Sequence, residues 1–194
     1  MSEAIYVEPN DRYEIIEGVK YMAAAAAAYD HNVITGRLFA IFDNYFHKNE
    51  TGMVVQDADV CLSEDNTFRP DLSVVCDFSK LGADRKIHGA PDLIVEVLSP
   101  STAKRDFTKK KEIYARSGVK EYWIVDWVAK NIFVHKLVDG HYELDDIYHD
   151  YTADELSLLE DYERAEIKTE IKVSIVPDLS INIHRVFKTW WNVH

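Results

Sequence analysis

Residues 91–126 read PDLIVEVLSPSTAKRDFTKKKEIYARSGVKEYWIVD, and this stretch decides the fold because it predicts a strand, a helix and a second strand. The apolar run from Leu93 to Leu98 is typical of a central strand covered on both faces, and Glu96 is its single charge. An unpaired carboxylate in low dielectric costs several kcal/mol. Glu96 is therefore expected to be paired with a cation, bound to a metal ion or protonated.

The helix that follows supplies a candidate cation. Pro100 ends the strand, Gly118 is placed to end the helix, and three residues could cap its start: Ser101, Thr102 and Asp106. A period of 3.6 residues predicts an inward stripe of Ala103, Phe107, Lys110, Tyr114 and Ser117. Lys109 and Lys111 fall to either side of the stripe. A single lysine on such a stripe usually extends its ammonium to water, but Glu96 one element upstream favours a functional pair with Lys110.

Length and composition favour one globular α/β domain over residues 1–194. The chain is 47% hydrophobic and 12% aromatic, so it can bury a substantial core. No apolar run approaches the ~20 residues of a membrane span, and the first residues lack the order of a signal peptide. We expect a cytoplasmic protein with no membrane partner.

The charge is strongly asymmetric along the chain. The net charge is −12, which by itself argues against a nucleic-acid partner. Residues 101–120, however, hold seven basic and two acidic side chains, a local charge of +5. This basic helix is either a patch that faces phosphates or a solvated helix face.

The rest of the chain alternates strand-like and helix-like patterns. The segment 11–22 predicts either a strand-turn-strand or a helix-to-strand entry at Gly18, and Ala23–Ala28 is interpreted as a linker. Apolar residues three and four apart predict a helix from His31 to Phe46. Residues 53–63 and 71–77 are predicted to form paired strands, with Asp59 inside the first. Two further antiparallel strands, an acidic helical region, a last strand and a short docked helix are predicted after residue 130.

Two acids could form a metal site. Asp71 opens one strand and Glu96 lies within the next, so their carboxylates could converge and bind a hard divalent cation. Carboxylates that hold Mg²⁺ beside a lysine are the components of metal-dependent phosphodiester cleavage. The alternative is an ordinary structural ion pair.

Several motifs resemble a known family. The runs YEIIEGVKYMA, RPDLSVVCD, PDLIVEVLSPSTAKRD, KKKEIYARSGVKEYWIVD and VPDLSINIHRVF are similar to the Uma-type family of restriction-endonuclease-like proteins, a branch of the PD-(D/E)XK nuclease superfamily. The resemblance covers nearly the whole chain. It implies a restriction-endonuclease-like mixed sheet flanked by helices, with extra antiparallel strands.

The resemblance also assigns roles to residues. It implies that Asp71 and Glu96 are the motif acids, that both hold the metal, and that the Val97 carbonyl joins them. Leu98 stands where most of the superfamily carries lysine, and the family places that lysine on the following helix, where Lys110 matches. An additional N-terminal acid would be Glu14 or Glu17.

Weaker candidates are four histidines. His31 starts a helix at a position where the family often has histidine, but capping or packing is the more common role for such a residue. His135, His141 and His149 lie on predicted exposed strands without the spacing of metal ligands and are interpreted as surface residues.

These features together predict an endonuclease that cleaves DNA with Mg²⁺, with Mn²⁺ as a substitute. Its DNA contacts would come from Lys104, Arg105, Lys109 and Lys111. Cutting a duplex needs two sites, so a homodimer is expected, with interface candidates Trp123, Trp127, Trp190 and Trp191. Two alternatives stay open: a catalytically inactive nucleic-acid-binding or scaffold protein, and an interaction protein without a nucleic-acid partner.

Overall fold

The computed structural model describes residues 13–22 and 28–188. The strands are β1 (Tyr13–Ile16), β2 (Val19–Met22), β3 (Met53–Gln56), β4 (Val60–Ser63), β5 (Asn66–Phe68), β6 (Leu72–Val75), β7 (Ile87–His88), β8 (Leu93–Val97), β9 (Glu121–Asp126), β10 (Asn131–Val138), β11 (His141–His149), β12 (Glu170–Lys172) and β13 (Ser180–Asn182). The α-helices are α1 (Tyr29–Asn49), α2 (Ala103–Arg105), α3 (Lys111–Ser117), α4 (Ala153–Leu158), α5 (Asp161–Glu166) and α6 (Ile183–Phe187). A π-helical turn (Asp106–Lys110) joins α2 to α3, and a short 3₁₀ helix spans Phe78–Lys80.

A six-stranded mixed sheet forms the centre, in the order β11-β10-β9-β8-β6-β3. Strands β8 and β9 are parallel, and their neighbours pair antiparallel. The stretch that joins β8 to β9 contains α2, the π turn and α3, as residues 91–126 predict. Gly118 ends α3 with a positive φ of 90°, a conformation that favours glycine. The α/β class with helices against a mixed sheet is confirmed.

The two faces of this sheet carry different layers. On one face α1 packs with the C-terminal strands against alternate residues of β8 and β9, including Val95 and Trp123. On the other face α3 and the small strands cover Ile94, Tyr122 and Ile124. Because side chains alternate along a strand, Glu96 shares the second face with Ile94 and meets α3.

A second, five-stranded sheet in the order β2-β1-β5-β4-β7 holds the N-terminal hairpin. The strand-turn-strand alternative for residues 11–22 is therefore the one observed, with Glu17 and Gly18 both at positive φ in the turn. The hairpin carries Glu14 towards the central sheet. The predicted linker Ala23–Ala28 lies outside the described residues except for Ala28, which precedes α1.

Some local predictions were wrong. The strand predicted over residues 53–63 is two strands in different sheets, separated where Asp57 takes a positive φ, so Asp59 lies between β3 and β4 and not in the partner of β6. The turn after residue 63 contains β5. Asp106 is not an N-cap, because it is buried in the π turn.

Two surface assignments were also wrong. Trp123 is fully buried in the core, so it cannot serve as an interface residue, and Trp127 is partly buried. Trp190 and Trp191 lie outside the described residues. His135 is buried beside Tyr122 and Tyr142, while His141 is exposed. Within residues 13–22 and 28–188, no helix is long and apolar enough to cross a lipid bilayer.

Candidate active site

Glu96 is the centre of a buried polar cluster. It is 5% exposed near the carboxyl end of β8. Its Oε1 accepts hydrogen bonds from Lys110 Nζ at 3.0 Å and from Tyr114 Oη at 2.8 Å. Both donors come from the helical stretch that follows β8, so the strand and the helix meet through this one oxygen. The cation expected for Glu96 is therefore Lys110.

Lys110 is surrounded by three carboxylates. Its Nζ lies 2.9 Å from Glu14 Oε1, 3.0 Å from Glu96 Oε1 and 3.4 Å from Asp106 Oδ1. Lys110 is only 2% exposed, so its charge is compensated by these acids and not by water. Three elements that are distant in sequence, β1, β8 and the π turn, are held together at this ammonium.

Asp106 is the least satisfied member of the cluster. It is fully buried, and neither carboxylate oxygen has a hydrogen-bond partner among the described residues, although Lys110 lies at ion-pair distance. The main-chain carbonyl of Asp106 accepts a hydrogen bond from Tyr122 Oη at 3.0 Å. Short π-helical turns are often found at functional sites, and this one contains both Asp106 and Lys110.

Burial and mutual repulsion set the protonation of the cluster. Burial raises the pKa of Glu96 well above its ordinary value; Lys110 opposes the shift, while the charges of Asp106, Asp71 and Glu14 add to it. Burial likewise raises the pKa of Asp106. For Lys110, burial alone would lower the pKa, but the acids outweigh it and raise the pKa. Lys110 therefore stays charged, while Glu96 and Asp106 hold protons up to a higher pH than exposed carboxyl groups do.

Asp71 lies beside this cluster at a more open position. Leu72 pairs with Val95, and the same antiparallel register places Asp71 opposite Glu96, where side chains share a face. Asp71 Oδ2 accepts the backbone N–H of Val97 at 2.7 Å and lies 3.3 Å from His31 Nε2. The side chain of Asp71 is 24% exposed, so the cluster opens to solvent on its side.

The structure separates the two N-terminal acids. Glu14 belongs to the cluster through Lys110 and also accepts the backbone N–H of Arg69 at 3.2 Å. Glu17 lies outside it, at the exposed hairpin turn, where it pairs with Lys109 at 3.0 Å. Glu14 is therefore the N-terminal acid that geometry connects to the site.

The four basic residues predicted to bind DNA have different environments. Lys104 is exposed, and Lys109 is exposed but paired with Glu17. Arg105 is partly buried over the ring of Tyr21. Lys111 is half-buried, and burial lowers its pKa. The four do not form one uniform exposed face.

Sequence reasoning missed or undervalued several members of the site. Tyr114 was assigned only to the inward stripe, and Asp106 only to a cap. Phe107, also on the predicted stripe, is 41% exposed against Phe133, because the π turn changes the helical period on which that stripe was drawn. His31 is a neighbour of Asp71 and not simply a cap or packing residue. The signals available were the acid at position 106, which lies between the basic residues of the helix, and the histidine at position 31.

The donor chemistry fits a hard divalent cation. Asp71, Glu96 and the Val97 carbonyl are oxygen donors, which Mg²⁺ prefers, and Asp71 is open to solvent. No group of three His, Cys, Asp or Glu side chains in the described ranges is arranged to hold a metal ion. A site here would therefore combine the two carboxylates with the backbone carbonyl and with water, which Mg²⁺ commonly retains.

Comparison with known proteins identifies the family. The Uma2 family, described as "Putative restriction endonuclease", matches residues 2–181. The chain belongs to the Uma2 family. This confirms the resemblance carried by the motifs around Asp71 and Glu96.

One relative in sequence and one solved structure are similar to this Uma2 chain, and the solved structure shares its fold. It is similar to an uncharacterized protein of Synechocystis sp., with 32% identity over 136 residues, 67% of this chain and 69% of that protein. It is also similar to the crystal structure of a "putative nuclease belonging to DUF820" from Anabaena variabilis, with a TM-score of 0.69. That likeness covers 94% of this chain and 93% of the other, and at 18% identity it establishes the fold alone.

Proposed function

We propose that this chain is a metal-dependent endonuclease that hydrolyses phosphodiester bonds in DNA, with Mg²⁺ as its cofactor and Mn²⁺ as a substitute. The observation that carries the proposal is the contact between Lys110 Nζ and Glu96 Oε1 at 3.0 Å, in a cluster that opens beside Asp71. The helix thus supplies the ammonium that position 98, a leucine, cannot.

Each residue has a distinct role in this proposal. Asp71, Glu96 and the Val97 carbonyl would hold the cation. When bound, the metal supplies Lewis-acid polarisation of the phosphate and lowers the pKa of a bound water. Lys110 keeps its proton and places a fixed positive charge where negative charge develops on the phosphate. Glu14 and Asp106 hold that ammonium in place, and Tyr114 orients Glu96.

DNA would approach from the open side of Asp71. Lys104, Arg105, Lys109 and Lys111 are the proposed phosphate contacts, and their loss should weaken binding in a salt-dependent way. We also propose a homodimer, because two sites are needed to cut both strands of a duplex. Light scattering tests the dimer independently of cleavage.

The decisive experiment is cleavage of plasmid and oligonucleotide DNA with Mg²⁺ or Mn²⁺ by the parent chain and by Glu96→Gln. We expect the parent to cut and Glu96→Gln to lose at least about a hundredfold in rate, the scale set by removal of one essential electrostatic group. The control is Glu121→Gln, which changes a buried glutamate of the neighbouring strand outside the cluster. No metal-dependent cleavage by the parent, or equal cleavage by Glu96→Gln, would refute the proposal in favour of an inactive nuclease fold.

A further inference from the structure

His31 occupies an unexpected position for a residue at the start of a long helix. It lies in the first turn of α1, which packs on one face of the central sheet, yet its ring meets Asp71 and the backbone of Val97 at the end of β8. His31 is 9% exposed, and its Nε2 is 3.3 Å from Asp71 Oδ2. Its Nδ1 is buried and has no hydrogen-bond partner in the described part of the chain. The polar end of the ring that meets Asp71 is therefore Nε2.

The contacts of Asp71 are concentrated on one of its two oxygens. Val97 N–H donates to Oδ2 at 2.7 Å, and His31 Nε2 approaches the same Oδ2. Two donors on one oxygen fix the plane of a carboxylate, because rotation about its Cβ–Cγ bond would break both contacts. The other oxygen, Oδ1, receives neither of them.

We propose that His31 is a positioning residue for Asp71: by holding Oδ2 from the side of α1, together with the Val97 N–H, it presents Oδ1 to the divalent cation. This inference rests on the proposed function, since it concerns the same cation. Groups that orient a metal-binding side chain commonly determine affinity as strongly as the direct ligands do. His31 thereby links α1, on the far face of the sheet, to the catalytic cluster.

Two substitutions, His31→Gln and His31→Asn, distinguish this role from simple packing. The side-chain amide nitrogen of glutamine can reach the place of imidazole Nε2, whereas that of asparagine ends near the place of Nδ1. His31→Gln therefore keeps a donor on Asp71 Oδ2, and His31→Asn removes it. Both replace the ring by an amide, so both disturb packing. The matched control is His47→Gln, the same change in the exposed last turn of the same helix.

The test measures Mn²⁺ affinity by isothermal titration calorimetry on the full chain, with thermal melting of the metal-free proteins alongside. We expect His31→Asn to weaken Mn²⁺ binding by roughly 10- to 100-fold, as loss of an orienting partner does. His31→Gln and His47→Gln should bind close to the parent. The two His31 variants should melt at similar temperatures, because their loss of ring packing is alike.

Three outcomes would overturn the inference. His31→Asn could bind Mn²⁺ as tightly as the parent, which would leave His31 a packing residue. His31→Gln could bind as weakly as His31→Asn, so that a donor on Oδ2 would not be what matters. A parent chain that binds no Mn²⁺ would refute this inference and the metal site together. A parent that binds Mn²⁺ without cutting DNA would refute the proposed function alone, and the difference between the glutamine and asparagine variants would still decide the role of His31.

Discussion

Two buried glutamates on adjacent strands of the central sheet differ in how their charge is accommodated. Glu96 on β8 shares one oxygen between Lys110 and Tyr114 and lies among further acids. Glu121 on β9 is fully buried on the opposite face, where neutral donors hold it: Trp123 Nε1 at 2.6 Å, Ser174 N at 2.8 Å and the Ser174 hydroxyl. Both side chains are buried, so burial alone does not mark a functional acid.

The two glutamates differ in whether other acids share their hydrogen-bond donors. The donors to Glu121 are neutral, and two of them belong to Ser174. This glutamate therefore ties the C-terminal segment to the sheet. The partners of Glu96 are shared, since Lys110 also serves Glu14 and Asp106. A cluster in which acids exceed cations stores unfavourable energy that a divalent cation could relieve.

The largest expected effect on stability comes from removing the shared cation. Lys110→Met should destabilise the fold by about 3–5 kcal/mol near neutral pH, because it leaves buried carboxylates without compensation. The control is Lys109→Met, whose ammonium is exposed and pairs with Glu17 at the surface, and which should change the stability little. Urea denaturation measures both.

Acidification should reduce the deficit of Lys110→Met. Without the ammonium, the buried acids take up protons at higher pH in the folded than in the unfolded chain, so the stability of the variant should rise as pH falls. An unfolding midpoint equal to that of the parent at pH 7 would show that the cluster does not depend on Lys110.

A smaller effect should separate the two glutamates directly. Glu121→Gln should cost about 2 kcal/mol, because its amide places a donor against the donors Trp123 Nε1 or Ser174 N. Glu96→Gln should be neutral or stabilising, since it removes one of the mutually repelling acids and keeps an acceptor for Lys110. Glu96→Gln should therefore be the more stable of the two variants and also the slower in DNA cleavage. Equal losses of stability in the two variants would contradict the distinction.

The smallest effect extends the comparison to a buried base, His135. Burial, with a contribution from the Lys111 charge, lowers the pKa of His135 to about 4. The unfolded chain takes up this proton near its ordinary pKa of about 6.5, so the stability that the neutral ring provides is present above that pH and is lost as pH falls towards 4. Between pH 7 and pH 5.5 the parent should lose about 1 kcal/mol more than His135→Phe. Identical pH profiles of unfolding would show that His135 takes up its proton at the same pH in the folded and unfolded chains, which would contradict the lowered pKa.

Much of the fold was predictable because its signals are local. The buried strand β8, the helical stretch after it, the glycine that ends α3 and the β10–β11 hairpin follow from apolar periodicity and turn residues. The division of residues 53–63 between two sheets was not predicted, because the polar residues of the stretch QDAD at the break could equally lie on the exposed face of one longer strand. Only pairing with β6 on one side and with β5 on the other reveals it.

The sequence by itself determined that Glu96 is a lone acid in a buried strand, that Asp71 opens its neighbour and that Lys110 interrupts an inward stripe. Those statements follow from residue type and period, which are properties of single elements. Only the tertiary structure decided that Glu14 and not Glu17 joins them, that Asp106 completes the cluster, and that His31 meets Asp71 across the sheet. These choices depend on contacts between elements far apart in the chain, and the period of one helix or strand carries no information about what its partner brings to the same point.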